Sequence, residues 1–264
     1  MKILGILNIT EDSFSDGGQF LNPASAMAHA NNLLADGADI LDIGAASSHP
    51  DAARVSSETE IARLESVVGP LHDIGASLSI DTFSPEVQRW ALRQGVDYLN
   101  DIHGFAEPAL YPDLAASSAK LIVMHMVQEK GIATRADIPA DQIFERILTF
   151  FEKRLTALTG AGIAPERLIL DPGMGFFLST DPKASLTVLE RLPQLSRAFG
   201  LPLLVSVSRK SFLTALAKPG ATEDPSLGAE LFAAAQGADY IRTHAPGPLA
   251  DGLKLLESLE ETGF

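Results

Sequence analysis

Two sets of polar side chains stand out by type and by place. Asp81, Asn100, Asp171 and Lys210 offer two carboxylates, an amide and an ammonium. Such a set pairs with a planar heterocycle that displays amide, amine and carbonyl edges. Arg242, His244 and Asn8 form a second, mostly cationic set. The two basic side chains can hold a phosphate or pyrophosphate, and the oxygen of Asn8 can reach a bridging Mg2+. Arg209-Lys210 stands at the start of a helical stretch, where cations oppose the helix dipole. A bound anion or polar ligand explains that placement more economically than helix stability does. Each residue also has a plainer use. Asp81 could cap the helix that opens near Pro85. Asp171-Pro172-Gly173 could be a turn, and Asn100-Asp101 an Asx-turn. His125 and His244 could be hydrogen-bonded core residues, and Met124 and Met126 packing, although Met also packs well on flat rings. No Ser-His-Asp order, phosphate-loop lysine motif or zinc-ligand spacing appears.

These residues share a position: each follows a short apolar run. The runs lie at 2–7, 39–43, 77–80, 98–99, 120–124, 167–170, 203–205 and 239–241. They recur at about 34 residues, the size of one βα unit. Helical patterns lie between them at 23–36, 58–74, 85–94, 140–161 and 184–199, several ending in Gly just before the next run. Eight alternating units predict a (β/α)8 barrel, an α/β fold in one domain over 1–264, in preference to an open doubly wound sheet. In such a barrel the C-terminal ends of the strands build the active site. The polar groups named above all fall at that end.

Composition sets the outer limits. The chain has 264 residues, 46% of them hydrophobic, enough to bury a core without staples. Cysteine is absent, which excludes disulfides, thiolate metal sites and a cysteine nucleophile. The net charge of −14 makes nucleic acid a poor partner. No apolar run reaches membrane-span length, and the apolar start at 3–7 is too short for a secretory leader, so a cytoplasmic protein away from membranes is expected.

Six segments, taken in order, resemble signatures of the dihydropteroate synthase family. They are Gly5-Ile6-Leu7-Asn8-Ile9-Thr10 running on to Gly17-Gly18, Ser79-Ile80-Asp81-Thr82, Asn100-Asp101-Ile102, Asp171-Pro172-Gly173-Met174-Gly175-Phe176, Ser208-Arg209-Lys210-Ser211 and Arg242-Thr243-His244. The resemblance covers the whole chain. It implies a transferase that condenses 6-hydroxymethyl-7,8-dihydropterin pyrophosphate with p-aminobenzoate, releasing pyrophosphate, in folate biosynthesis. It further implies that Asp81, Asn100, Asp171 and Lys210 hold the pterin, with Met124 near its ring. Asn8, Arg242 and His244 would hold pyrophosphate, Asn8 through Mg2+. Asp81, Lys210, Arg242 and His244 would be the catalytic set. Phe14, Ser48, Pro50, Phe176, Phe177 and Ser211 would face p-aminobenzoate. A homodimer through the late helices is implied as well.

The chain departs from the family pattern in two loops. Where the family reads Gly-Gly-Glu-Ser-Thr-Arg-Pro, this chain reads Gly44-Ala45-Ala46-Ser47-Ser48-His49-Pro50. After Asp-Pro-Gly it reads Met174-Gly175-Phe176-Phe177-Leu178, about two residues longer than usual. Ala245 replaces a customary Asp. These departures resemble the sulfonamide-resistant, Sul-type branch, and a narrowed pocket at Phe176-Phe177 would reject the drug while admitting the substrate. Two rival readings stay open at this level: a methyltetrahydrofolate methyltransferase-type barrel, and a pterin-binding relative without turnover.

Overall fold

The computed structural model describes residues 1–10, 22–47, 54–128, 136–218 and 221–261. Eight parallel strands form one sheet: β1 (Lys2–Asn8), β2 (Ile40–Gly44), β3 (Leu78–Asp81), β4 (Tyr98–Asp101), β5 (Lys120–Met124), β6 (Leu168–Asp171), β7 (Leu204–Val205) and β8 (Tyr240–Thr243). The spatial order is β6-β5-β4-β3-β2-β1-β8-β7. A parallel bridge between Leu170 and Leu203 joins the two outer strands and closes the ring. The (β/α)8 barrel expected from the spacing is therefore the observed fold, and the open-sheet alternative is excluded.

Ten helices are described: α1 (Pro23–Ala35), α2 (Ser57–Asp73), α3 (Pro85–Gln94), α4 (Tyr111–Ala116), α5 (Ala140–Gly160), α6 (Pro182–Glu190), α7 (Leu192–Phe199), α8 (Ser211–Thr214), α9 (Glu223–Ala235) and α10 (Pro246–Glu261). The single helix expected over 184–199 is a correction: it is two helices, broken at Arg191. Pro193 sits in the first turn of the second, where its missing N–H is no loss and its ring would clash with a preceding turn. Helix α4 escaped the pattern reading because six residues are too few to show a period. Among the described residues no helix is long and apolar enough to cross a membrane.

The period of two along the strands positions the site. One side of each strand faces the helices; Leu41, Ile43, Leu78, Leu99, Leu121, Val123 and Ile241 join that outer core. The alternate residues fill the barrel. Leu4, Ile40, Ile122, Ile169, Leu204 and Tyr240 form a plug, with Tyr98 against it. Two residues further along come Asp42, Asn100, Met124, Asp171, Ser206 and Arg242. The same alternation that buries the plug thus lifts a polar layer to the C-terminal rim.

Candidate active site

Asp81, Asn100, Met124, Asp171, Lys210 and Arg242 line one pocket with Ile102, Met174, Phe177 and Ser206. The first set of the sequence analysis is thus brought together, and Arg242 of the second set stands inside it. An ion-pair cluster explains why. Arg242 Nε donates to Asp42 Oδ2 at 2.5 Å, and Nη2 donates to Asp81 Oδ2 at 2.7 Å. Asn100 Nδ2 donates to the same Asp42 oxygen at 3.3 Å. Arg242 thus ties the expected pyrophosphate set to Asp81 of the expected pterin set, while Asn8 and His244 lie outside this pocket's lining. A guanidinium has five N–H donors, so three remain for an anion after these two bonds.

Asp42 is the residue that sequence reasoning missed. It is fully buried and lies inside β2 rather than after it. Its signal was available: an Asp alternating with Ile40 and Gly44 in an otherwise apolar strand.

Several buried polar atoms here have no hydrogen-bond partner, namely Asp42 Oδ1, Asn100 Oδ1 and Ser79 Oγ. An unmet buried acceptor costs about 1–3 kcal/mol, so such atoms point to a ligand rich in N–H donors.

Burial dominates the electrostatics. It pushes Asp81 up to about 7, against the pull of Arg242, and Asp171 up to about 6, against the Gly173 N–H and Lys210. Burial and the charge of Arg242 bring Lys210 down to about 8. Burial also opposes the charge on Arg242, but Asp42 and Asp81 outweigh it and hold the guanidinium firmly cationic. The His244 ring is held well below its ordinary value by burial, then by Arg209, Arg242 and Lys210, so it is neutral.

The plainer readings divide. Asp81 does not cap α3; Ser84 does, accepting from Val87 N–H. Asp101 is structural: it accepts from the N–H groups of His103 and Phe105 and from Gln88 Nε2. His125 is a core residue, buried, with Nδ1 at 3.1 Å from the Pro172 carbonyl. Asp171 serves two purposes, since Oδ1 accepts from Gly173 N–H at 2.8 Å while the side chain lines the pocket. Gly173 has φ +74, and a Cβ there would lie 2.4 Å from the His125 carbonyl, so only glycine allows this turn.

The remaining expected residues fall around the rim. Phe177 lines the pocket, with Lys210 Nζ 4.7 Å from its ring centroid, and Phe176 packs with it against Ile102, Met124 and Met126. Ser211 opens α8 directly after Lys210. Arg209 turns away to Glu223, at 2.8 Å. His244 Nδ1 lies 3.0 Å from Ser208 Oγ. Phe14, Ser48 and Pro50 lie outside the described residues.

For a metal the test falls on Asn8. A Cβ on Gly44 would lie 3.3 Å from Asn8 Oδ1 and 4.0 Å from Asp81 Oδ2, so the glycine keeps the space between those oxygens clear. One amide oxygen suits a Mg2+ whose other ligands are phosphate oxygens and water. Among the described residues no cluster of three or more His, Cys, Asp or Glu could hold a metal by itself.

A (β/α)8 barrel whose strand ends carry buried acceptors, a lysine and a paired arginine suits a planar ring rich in N–H donors beside an anion. The family described as "Pterin binding enzyme" matches residues 4–244. Dihydropteroate synthase type-2 of Escherichia coli is 56% identical over 98% of this chain and 96% of its own length. Dihydropteroate synthase type-1 of Pseudomonas aeruginosa is 52% identical over 98% and 94%. Xanthomonas albilineans dihydropteroate synthase, solved with 4-aminobenzoic acid, superposes with a TM-score of 0.87 at 33% identity, over 98% of this chain and 93% of that one. The chain belongs to the dihydropteroate synthase family, on its Sul-type side, and is a transferase.

Proposed function

We propose that the protein joins 6-hydroxymethyl-7,8-dihydropterin pyrophosphate to p-aminobenzoate and does so in the presence of sulfonamides. The observation that carries the first half is the buried, unpartnered Asn100 Oδ1 in a pocket shared with Asp81, Asp171 and Lys210. The pterin edge has the N–H donors these acceptors lack.

In this reading the bond from the pterin methylene to the pyrophosphate oxygen breaks first, and the electron pair leaves with pyrophosphate. The three free N–H groups of Arg242, with His244, receive that charge. Asp81 and Asp171 face the cation left on the pterin. The aniline nitrogen of p-aminobenzoate then attacks the methylene carbon and loses its proton. Asn8 would hold a Mg2+ ion, whose charge would offset that of the leaving group.

Phe176 and Phe177 support the second half. Both pack against Ile102, Met124 and Met126, and Phe177 lines the pocket; in this reading they narrow the space beyond the p-aminobenzoate outline. Exposed Phe232 and Leu255 on α9 and α10 support the homodimer. The direct test is pyrophosphate release with both substrates and Mg2+, titrated with sulfamethoxazole. Turnover that survives drug in large excess over p-aminobenzoate is expected. Loss of turnover at micromolar drug keeps the synthase and discards the resistance; pterin binding without turnover leaves only a binding relative.

A further inference from the structure

The loop after β7 makes a turn that its residues do not favour. Lys210 N–H donates to the Val207 carbonyl at 3.2 Å, which closes a turn over residues 207–210. Arg209 is the third residue of that turn and sits at φ +57. A positive φ at that place calls for glycine or asparagine, because the Cβ of other residues crowds the backbone there. Arginine has neither advantage, so its surroundings must hold it. Among the described residues one other side-chain-bearing residue has such a backbone, Phe105 at φ +61. Its N–H is taken by a buried side chain, Asp101 Oδ2 at 3.0 Å.

The group that does the same for Arg209 stands on α9. Ser226 is 2% exposed, and its Oγ accepts from Arg209 N–H at 2.8 Å. The serine's own proton goes one turn back, to the Thr222 carbonyl. The roles are therefore unambiguous. An amide can only donate, and a hydroxyl whose proton is spent on a carbonyl can only accept. The bond back to Thr222 is one that serine commonly makes inside a helix, and here it fixes the oxygen toward the turn. A second tie runs from Arg209 Nε to Glu223 Oε1 at 2.8 Å. The Glu223 side chain is 52% exposed, so that pair contributes little. Ser226 is the buried tie.

The turn matters because of what stands on either side of Arg209. Ser208 engages His244 at the backbone N–H (3.2 Å) and at Nδ1 (3.0 Å). Lys210 lines the pocket and reaches over Phe177. Returning Arg209 to the ordinary φ of about −63° would swing the chain by roughly 120° about one bond. Ser208 and Lys210 could not then both keep their places.

We propose that Ser226 is a positioning residue: from α9 its hydroxyl holds the turn at Arg209 in the left-handed form, and so keeps Lys210 in the pocket while Ser208 stays on His244. The substrate that Lys210 and His244 meet rests on the synthase reading; the holding of the turn does not.

The experiment is a cycle of full-length wild type, Ser226→Ala, Arg209→Asn and the double variant. Asparagine adopts positive φ far more readily than arginine, so it lessens the need for the tie. Ser226→Ala is expected to lower kcat/KM for the pterin pyrophosphate about tenfold on wild type, the worth of roughly one hydrogen bond. On the Arg209→Asn background the same change should cost under about threefold. A serine that merely packs α9 would cost the same on both backgrounds. Amide hydrogen exchange read by NMR supplies a measure independent of turnover. The Arg209 amide should exchange slowly in wild type and at least about tenfold faster in Ser226→Ala. Thermal unfolding confirms that each variant folds. An alanine variant with wild-type kcat/KM, equal costs on the two backgrounds, or an Arg209 amide that exchanges fast in wild type overturns the proposal. The last result needs no variant, so it decides the matter even where alanine prevents folding. Absence of turnover in wild type overturns the synthase reading instead, and the exchange rates still decide Ser226.

Discussion

Arg242 does two jobs with one side chain, and the geometry says which substitution should expose them. Its Nε and Nη2 neutralise Asp42 and Asp81, and its other N–H groups are left for a substrate anion. Lysine keeps the charge but is a single point and cannot fork. Arg242→Lys is therefore expected to lower kcat/KM by about a hundredfold or more, a loss typical of removing a donor from a developing anion. A variant within a fewfold of wild type in steady-state kinetics would show that the fork is dispensable. The same cluster sets a pH profile. Asp81 must be a carboxylate to face a cation, so activity should fall as pH drops through about 7. Lys210 must be an ammonium to donate to the pterin, so activity should fall again as pH rises through about 8. The expected profile of kcat/KM is a narrow bell. In Asp81→Asn the acid limb should move toward about 6, where Asp171 titrates. An acid limb that stays at 7 in that variant assigns the titration elsewhere.

At the scale of elements, the loop after β6 carries the sharpest consequence. Gly173 and Gly175, at φ +74 and +65, turn the chain so that Phe177 comes down onto Met124, and its carbonyl accepts from Val127 N–H at 2.9 Å. A drug that projects past p-aminobenzoate must displace that packing. Deleting Phe177 should shorten the turn and restore inhibition by a few hundredfold, corresponding to about 3–4 kcal/mol. Inhibition constants unchanged by the deletion would place the discrimination in another loop. This scale also shows what the sequence could and could not carry. The strands were readable because their apolar alternation is short and regular, and the rim residues because they end those runs. Asp42 stands at the same level as Asn100 and Arg242 but was given no role, because nothing in the sequence shows that it pairs with an arginine two hundred residues away. Glu230 hid more thoroughly. A glutamate on a helix looks like a solvated face, and only the packing of α9 shows that this one is buried. The break at Arg191 was visible in Pro193, but a proline there marks either a kink or a first turn, and sequence alone does not choose.

At the scale of the whole molecule, charge and apolar surface work against each other. Each chain carries −14, so two copies brought together repel. Against that, α9 and α10 pack on one another and leave Phe232 and Leu255 at 44% and 61% exposure. Burying what remains exposed of each side chain between two copies contributes about 1–2 kcal/mol. The hydrophobic part of that association changes little with moderate salt, whereas the repulsion is screened within about 10 Å at 0.1 M. A dimer through this face, as proposed, should therefore tighten as ionic strength rises from low values, the opposite of an interface held by ion pairs. Light scattering after size-exclusion chromatography across a salt series reads this directly. Phe232→Glu should give a monomer at concentrations where wild type is dimeric, because it removes the apolar anchor and adds to the repulsion at once. A Phe232→Glu variant that stays dimeric, or a wild-type dimer that loosens with salt, would place the interface on another face of the barrel.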